Sequence, residues 1–211
     1  NNSNLLLWYG MALAHFAIGE LRADPQMIEK SAQFCGRALE HAGHAFPQFW
    51  NDWGVALLKL GELTGERKHI IDALEKFEHA IGKWKETQHE EHVDLEWLYN
   101  YGCALDYLGD FSEDADCYEK AVQVLSFVVQ QDPSYFHARY NLALALSHLG
   151  ESLDDVESLQ KSILLFQDLL QENSEDEVAW NDCGLAILNL AALIHDAAHP
   201  EIAQKLFEQA E

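Results

Sequence analysis

The stretch Phe49-Trp50-Asn51-Asp52-Trp53-Gly54-Val55-Ala56-Leu57 returns late in the chain as Ala179-Trp180-Asn181-Asp182-Cys183-Gly184-Leu185-Ala186-Ile187. Looser copies are Leu6-Leu7-Trp8-Tyr9-Gly10-Met11-Ala12-Leu13, Leu98-Tyr99-Asn100-Tyr101-Gly102-Cys103-Ala104-Leu105 and Arg139-Tyr140-Asn141-Leu142-Ala143-Leu144-Ala145-Leu146. A small residue centres each copy, at Gly10, Gly54, Gly102, Ala143 and Gly184, with spacings of 44, 48, 41 and 41 residues. Another follows seven residues later, at Ala17, Gly61, Gly109, Gly150 and Ala191. Self-similarity at such a period marks a repeat architecture, in which each unit buries its apolar face only by stacking on a neighbour.

Each copy is followed by a second pattern at three- and four-residue steps, the spacing of one helix face. It reads Ala73, Leu74, Phe77, Ala80 and Ile81 in the second unit, and Ser31, Cys35, Ala38 and Leu39 in the first. The later counterparts are Ala121, Leu125, Val128 and Val129, then Ser162, Phe166, Leu169 and Leu170, then Ala203, Phe207 and Ala210. Asp24-Pro25 and His199-Pro200 put proline at a first helical position, and Ser112 before Glu113 and Asp114 marks a further helix start. No stretch alternates as a strand does. The sequence predicts an all-α solenoid of five helix–turn–helix units over residues 4–47, 48–94, 95–135, 136–176 and 177–211. Small residues such as Gly54 and Ala143 let the paired helices approach, and Trp53, Tyr9 and Tyr101 fill the adjoining space.

The run Trp50-x-x-Trp53-Gly54-x-x-Leu57, continued by Gly61, Ala73, Phe77 and Ala80, resembles the tetratricopeptide repeat family. Pro133 falls where that family's second helix ends. The units are longer than the family's repeat of about 34 residues. About seven extra residues precede the second helix, which predicts lengthened helices around a longer hairpin tip. The first unit departs further, with Ser31 and Cys35 where Ala and an aromatic are usual.

The resemblance implies a right-handed superhelix whose first helices line a concave groove for a peptide or helix of a partner protein. By register, that groove would take Leu7 and Met11 from the first unit and Asn51, Val55 and Leu58 from the second. Tyr99, Cys103 and Asp106 would follow, then Tyr140, Leu144 and Ser147, then Asn181, Leu185 and Leu188. The family's grip on a C-terminal carboxylate through Lys, Arg and Asn is not expected, because only Lys59 and Arg139 bring cations near this register.

The 211 residues hold 13 Lys+Arg against 36 Asp+Glu, a formal net charge of -23. Such a balance argues against a nucleic-acid backbone or an anionic membrane as partner. Residues 1–85 carry nine basic and ten acidic side chains, whereas 86–211 carry four and 26. That lopsided field solubilises the chain or steers a basic partner. Cys35, Cys103, Cys117 and Cys183 stand singly in helical patterns, as small buried hydrophobes of a reducing, cytoplasmic protein. The apolar run Leu5–Gly19 is too short to span a membrane. The chain lacks an initiator Met, opens on apolar residues and stops within its last helical pattern. The expectation is a fragment of a longer protein, with uncapped ends open to self-association.

No catalytic constellation and no cofactor site is legible. His89-Glu90-Glu91-His92 misses the spacing that sets two ligands on one helix face, and His41/His44 and His195/His199 read as helix-end cations. The acidic run Asp110–Asp116 lacks the spacing and glycine of a calcium loop. The reading is a non-catalytic scaffold or adaptor, serving as an assembly factor or chaperone. The alternatives are a regulatory segment of a larger enzyme and a secretion chaperone.

Overall fold

The computed structural model describes residues 2–42, 46–87, 94–112 and 114–196. They form α1 (Asn2–Arg22), α2 (Pro25–Ala42), α3 (Pro47–Thr64), α4 (Arg67–Thr87) and α5 (Leu95–Ser112), then α6 (Ala115–Gln131), α7 (Phe136–Leu153), α8 (Val156–Glu172) and α9 (Glu177–Asp196). No strand occurs among the described residues. The chain divides into two compact units, residues 1–111 and 112–211. In the first, α1 packs on α2, α2 on α3 and α3 on α4; in the second, α6 packs on α7, α7 on α8 and α8 on α9. The first helices α1 and α3 also touch, as do α7 and α9. Each unit is therefore a stack of helix pairs, the repeat solenoid that the periodicity predicts.

Helix pairs close on their small residues. A Cβ at Gly54 would stand 2.6 Å from the ring of Phe77, which is fully buried, and one at Gly61 would stand 2.7 Å from Ile70. A Cβ at Gly150 would meet Leu159 at 2.6 Å. Bulk on one helix thus enters space that the other leaves empty. In α7/α8 the Ser162 hydroxyl donates to the Ala143 carbonyl at 2.7 Å, and in α1/α2 the Ser31 hydroxyl donates to Ala12 at 2.8 Å. Serine at this buried position satisfies its own polar group on the facing backbone.

That pair of bonds corrects the register of the first unit. Nineteen residues separate Ala143 from Ser162 and Ala12 from Ser31, as they separate Gly54 from Ala73. The residue equivalent to Gly54 is therefore Ala12, not Gly10, and the second small residue is Gly19, not Ala17. A Cβ at Gly19 would meet Ile28 at 2.7 Å, whereas nothing lies within 4 Å of one at Gly10. Leu7 and Met11 lose their assigned places; Tyr9, Leu13 and Phe16 take the register of Asn51, Val55 and Leu58.

The expected longer hairpin tip is also corrected. The helices run 17 to 21 residues, and two residues join α1 to α2, α3 to α4 and α7 to α8. In these three pairs the residues between the second small residue and the second helix face are helical but for the two at the tip. The first tip residue is left-handed in each case, Ala23 at φ 48°, Gly65 at 69° and Asp154 at 53°. The amide of Gly65 closes on the Gly61 carbonyl at 2.8 Å. The second tip residue starts the next helix: Asp24 accepts from the Gln26 amide, and Asp155 from Glu157 and Ser158. Asp114, not Ser112, caps α6, since Ser112 still belongs to α5. Pro133 follows the end of α6. Ala203, Phe207, Ala210 and His199-Pro200 lie outside the described residues, as do Glu113 and His89–His92.

Candidate functional site

The first helices α1, α3 and α5 meet through polar side chains. The Tyr9 hydroxyl donates to Asp52 Oδ2 at 2.5 Å, and Asn100 Nδ2 donates to Asn51 Oδ1 at 3.2 Å. In the second unit the Tyr140 hydroxyl donates to Asp182. In the corrected register each contact joins the residue three before the small centre of one repeat to the residue two before that centre in the next. The Asn-Asp pair shared by the second and fifth copies thereby acquires a role: its Asp receives the tyrosine of the preceding repeat. Asn51 and Asn181 each turn their amide toward the adjacent Asp, at 3.3 and 3.1 Å.

Asp52 also accepts from Gln48 Nε2 at 2.8 Å, so three neutral donors converge on one largely buried carboxylate. Burial pushes its carboxyl above the ordinary carboxylate range, opposed by the hydrogen bonds from Tyr9, Asn51 and Gln48. Burial first, and the bond to Asp52 second, push the Tyr9 phenol well up. Burial and the bond to Asp182 do the same to Tyr140.

A pocket of about 170 Å³ opens beside this network. Leu13 and Phe16 of α1 face it, with Asn51, Asp52 and Val55 of α3 and Glu96 of α5. Cys35 reaches it from α2, at the position that Phe77 and Phe166 fill in other helix pairs, so less volume is occupied there. Burial pushes the Cys35 thiol up to about 12.

Of the residues predicted to line a groove, Asn51 and Val55 reach this pocket. Leu7 is exposed, Met11 half-buried and Leu58 buried. In α5, Tyr99 and Cys103 are half-buried and Asp106 is buried, with the Cys103 thiol pushed to about 12, first by burial. In the second unit Tyr140 and Leu144 are half-buried and Ser147 is buried. Asn181, Leu185 and Leu188 of α9 are exposed, beside an exposed Trp180. Sequence reasoning missed Leu13, Phe16, Asp52 and Glu96. The nineteen-residue step back from Ser31 would have found the first two.

Both nearby cations are paired, Lys59 with Glu62 at 2.8 Å and Arg139 with Glu172 at 2.7 Å. All four cysteines are free thiols, and Cys35, Cys117 and Cys183 are buried. Among the described residues no three His, Cys, Asp or Glu side chains are grouped to hold a metal. The His41 Nδ1–H donates to the Arg37 carbonyl at 2.8 Å, while His44 and His199 lie outside the described residues. The segment Glu177–His195 of α9 is long and apolar enough to cross a membrane by length and composition. Its buried side chains Ala179, Cys183, Ala186, Ile187 and Leu190 pack in one core with Leu159 and Phe166 of α8.

No protein-family profile matches the sequence, and no curated protein does. Solved structures do match in fold. One is MamA residues 41 to the end from Desulfovibrio magneticus RS-1, at 18% identity and a TM-score of 0.61, covering 98% of this chain and 93% of that one. Another is YrrB, described as a TPR protein with an unusual peptide-binding site, at 16% identity and a TM-score of 0.59, covering 100% and 86%. The fold is that of a tetratricopeptide-type helical repeat protein.

Proposed function

We propose that this chain is a non-catalytic interaction scaffold that binds a segment of a partner protein on the face formed by its first helices. The observation that supports this most is the pocket of the first unit, where an exposed Leu13 and half-buried Phe16 and Val55 converge on a half-buried polar network. Apolar walls with few fixed polar groups suit an amphipathic segment. The second unit offers Leu144, Leu185 and Leu188 at the same register, and Leu185 and Leu188 are exposed. The peptide-binding site named for YrrB accords with a peptide partner here. The acidic balance favours a basic one. Assembly factor, chaperone and regulatory segment of a larger enzyme are uses that such a face would serve. The unpaired cysteines favour a reducing, cytoplasmic setting.

Affinity capture with the full chain beside a Leu13→Ser/Leu185→Ser/Leu188→Ser variant tests the reading. These side chains are exposed, so the fold survives their loss. A captured partner that the variant releases supports the first-helix face; one that the variant retains overturns it.

A second surface supports self-association. Leu7, Ile18 and Leu21 are 57%, 42% and 86% exposed on α1. Their equivalents Phe49, Leu60 and Leu63 on α3 are buried or half-buried, and Phe49 packs on Ala38 and Leu39 of α2. An exposed apolar helix face of this kind marks an interaction surface, and another copy is one partner that would cover it. Light scattering that stays monomeric at high concentration would exclude it.

A further inference from the structure

Among the described residues, the pocket of the first unit is lined by two carboxylates, Asp52 and Glu96, and by neither Lys nor Arg. Every hydrogen bond that Asp52 receives among the described residues comes from a neutral group: the Tyr9 hydroxyl and the Gln48 and Asn51 amides. No cation neutralises it through these contacts. A carboxylate offers about four lone-pair sites, so three donors leave about one. A guanidinium fork seeks two parallel bonds to one carboxylate, whereas a lysine ammonium is a compact charge that needs a single acceptor. Beside Ala12, Ser31, Cys35 and Asn51, the lining offers a flexible hydrocarbon stem three large apolar side chains: Leu13, Phe16 and Val55. At about 170 Å³ the volume falls below the roughly 300 Å³ where small-molecule sites begin, and is of side-chain size. Glu96 is exposed at the pocket, so the far end of the stem stays wet while its carbons are covered.

We propose that this pocket takes a lysine side chain of the bound segment, its stem against Leu13, Phe16 and Val55 and its ammonium on Asp52 and Glu96. The proposal rests on the reading of the first-helix face as the partner-binding face, and names what that face selects. Unlike a clamp of cations closing on an acidic tail, this is an acidic socket for a basic residue.

The test uses the full chain and three small probes: Nα-acetyl-lysine methylamide, its uncharged norleucine isostere and the arginine analogue. Binding is followed by the backbone amide NMR shifts of Val55 and Glu96. The lysine probe is expected to give saturable shifts and to bind at least fivefold more tightly than norleucine or arginine. Glu96→Gln, at the exposed rim, is expected to weaken lysine at least threefold without altering the norleucine response. Asp52→Asn removes the preference. Equal binding of norleucine and lysine, a preference for arginine, no saturable binding, or indifference to Glu96→Gln would each overturn the proposal. A partner captured by the wild-type chain, lost with the serine variant and kept by Glu96→Gln would sink the lysine socket and leave the scaffold standing. Lysine binding without any captured partner would do the reverse.

Discussion

The Tyr9 hydroxyl lies 2.5 Å from Asp52 Oδ2, and Tyr140 makes the same bond to Asp182 in the other unit. Each joins the first helix of one repeat to that of the next. The two contacts span 43 and 42 residues of sequence, close to one repeat length. A hydrogen bond to a charged acceptor contributes about 1.5–3 kcal/mol. Tyr9→Phe and Tyr140→Phe are each expected to destabilise by about 2 kcal/mol in urea unfolding. A loss under about 0.5 kcal/mol for either would show that the bond is exchanged for water.

Burial holds the folded Asp52 above its ordinary value of 3.8, so the folded chain keeps this proton to higher pH than the unfolded chain does. Stability contributed at this site is greatest below the unfolded value and falls as pH rises through the folded one. Asp52→Asn should abolish that fall. The stability difference between wild type and variant, measured from about pH 4 to pH 7 by denaturant unfolding, is expected to drift in the variant's favour as pH rises. A flat difference would contradict the burial of the charge.

The hairpin tips separate residues that tolerate the left-handed region from one that does not. Ala23 sits at φ 48°, where Gly65 occupies the matching tip at 69°. A non-glycine residue there costs roughly 1–2 kcal/mol. Ala23→Gly is therefore expected to stabilise by about 1 kcal/mol despite the added freedom of the unfolded chain, and Gly65→Ala to destabilise by a similar amount. Calorimetric melting of the two variants in opposite directions is the expected result.

Gly54→Ala places a methyl group 2.6 Å from the Phe77 ring, which is fully buried and has nowhere to retreat. Overpacking of this kind costs about 1–3 kcal/mol. Gly10→Ala meets nothing within 4 Å and lies mid-helix. There alanine's better propensity should stabilise by up to about 1 kcal/mol. Equal effects at the two glycines would restore Gly10 as the equivalent of Gly54.

The thiols of Cys35 and Cys103 are pushed to about 12, foremost by burial. Since the thiolate is the reactive form and an ordinary cysteine titrates near 8.5, both should alkylate at least about tenfold more slowly than free cysteine at pH 8. Iodoacetamide labelling followed by mass spectrometry reads this directly. Rapid labelling of Cys35 in the native chain would mean that the pocket admits reagent to an ionised thiol.

Most of the fold was legible. The Phe49–Leu57 and Ala179–Ile187 copies, with the apolar steps from Ala73 to Ala80, locate helices because period and small-residue placement are local properties of the chain. Asp24-Pro25 marked the start of α2 for the same reason: the cap is a contact between near neighbours. The longer hairpin tip was misread, since a gap in spacing says how many residues intervene and not whether they stay helical.

The candidate site was less legible. Gly10 and Gly54 look alike in sequence, yet only Gly54 faces a ring. A helix presents new faces every residue, and a two-residue slip turns it by more than half a revolution. What fixed the register was Ser31 on Ala12, a bond between residues nineteen apart. The sequence by itself determined that the chain is a helical repeat, its helix pairs and its acidic balance, because periodicity and charge reside in the order of residues. Only the tertiary structure decided that Asp52 serves Tyr9, that Leu13 and Phe16 rather than Leu7 and Met11 face Val55, and that a pocket opens where Cys35 replaces a phenylalanine. Those facts depend on which faces of different helices meet, and packing alone sets that.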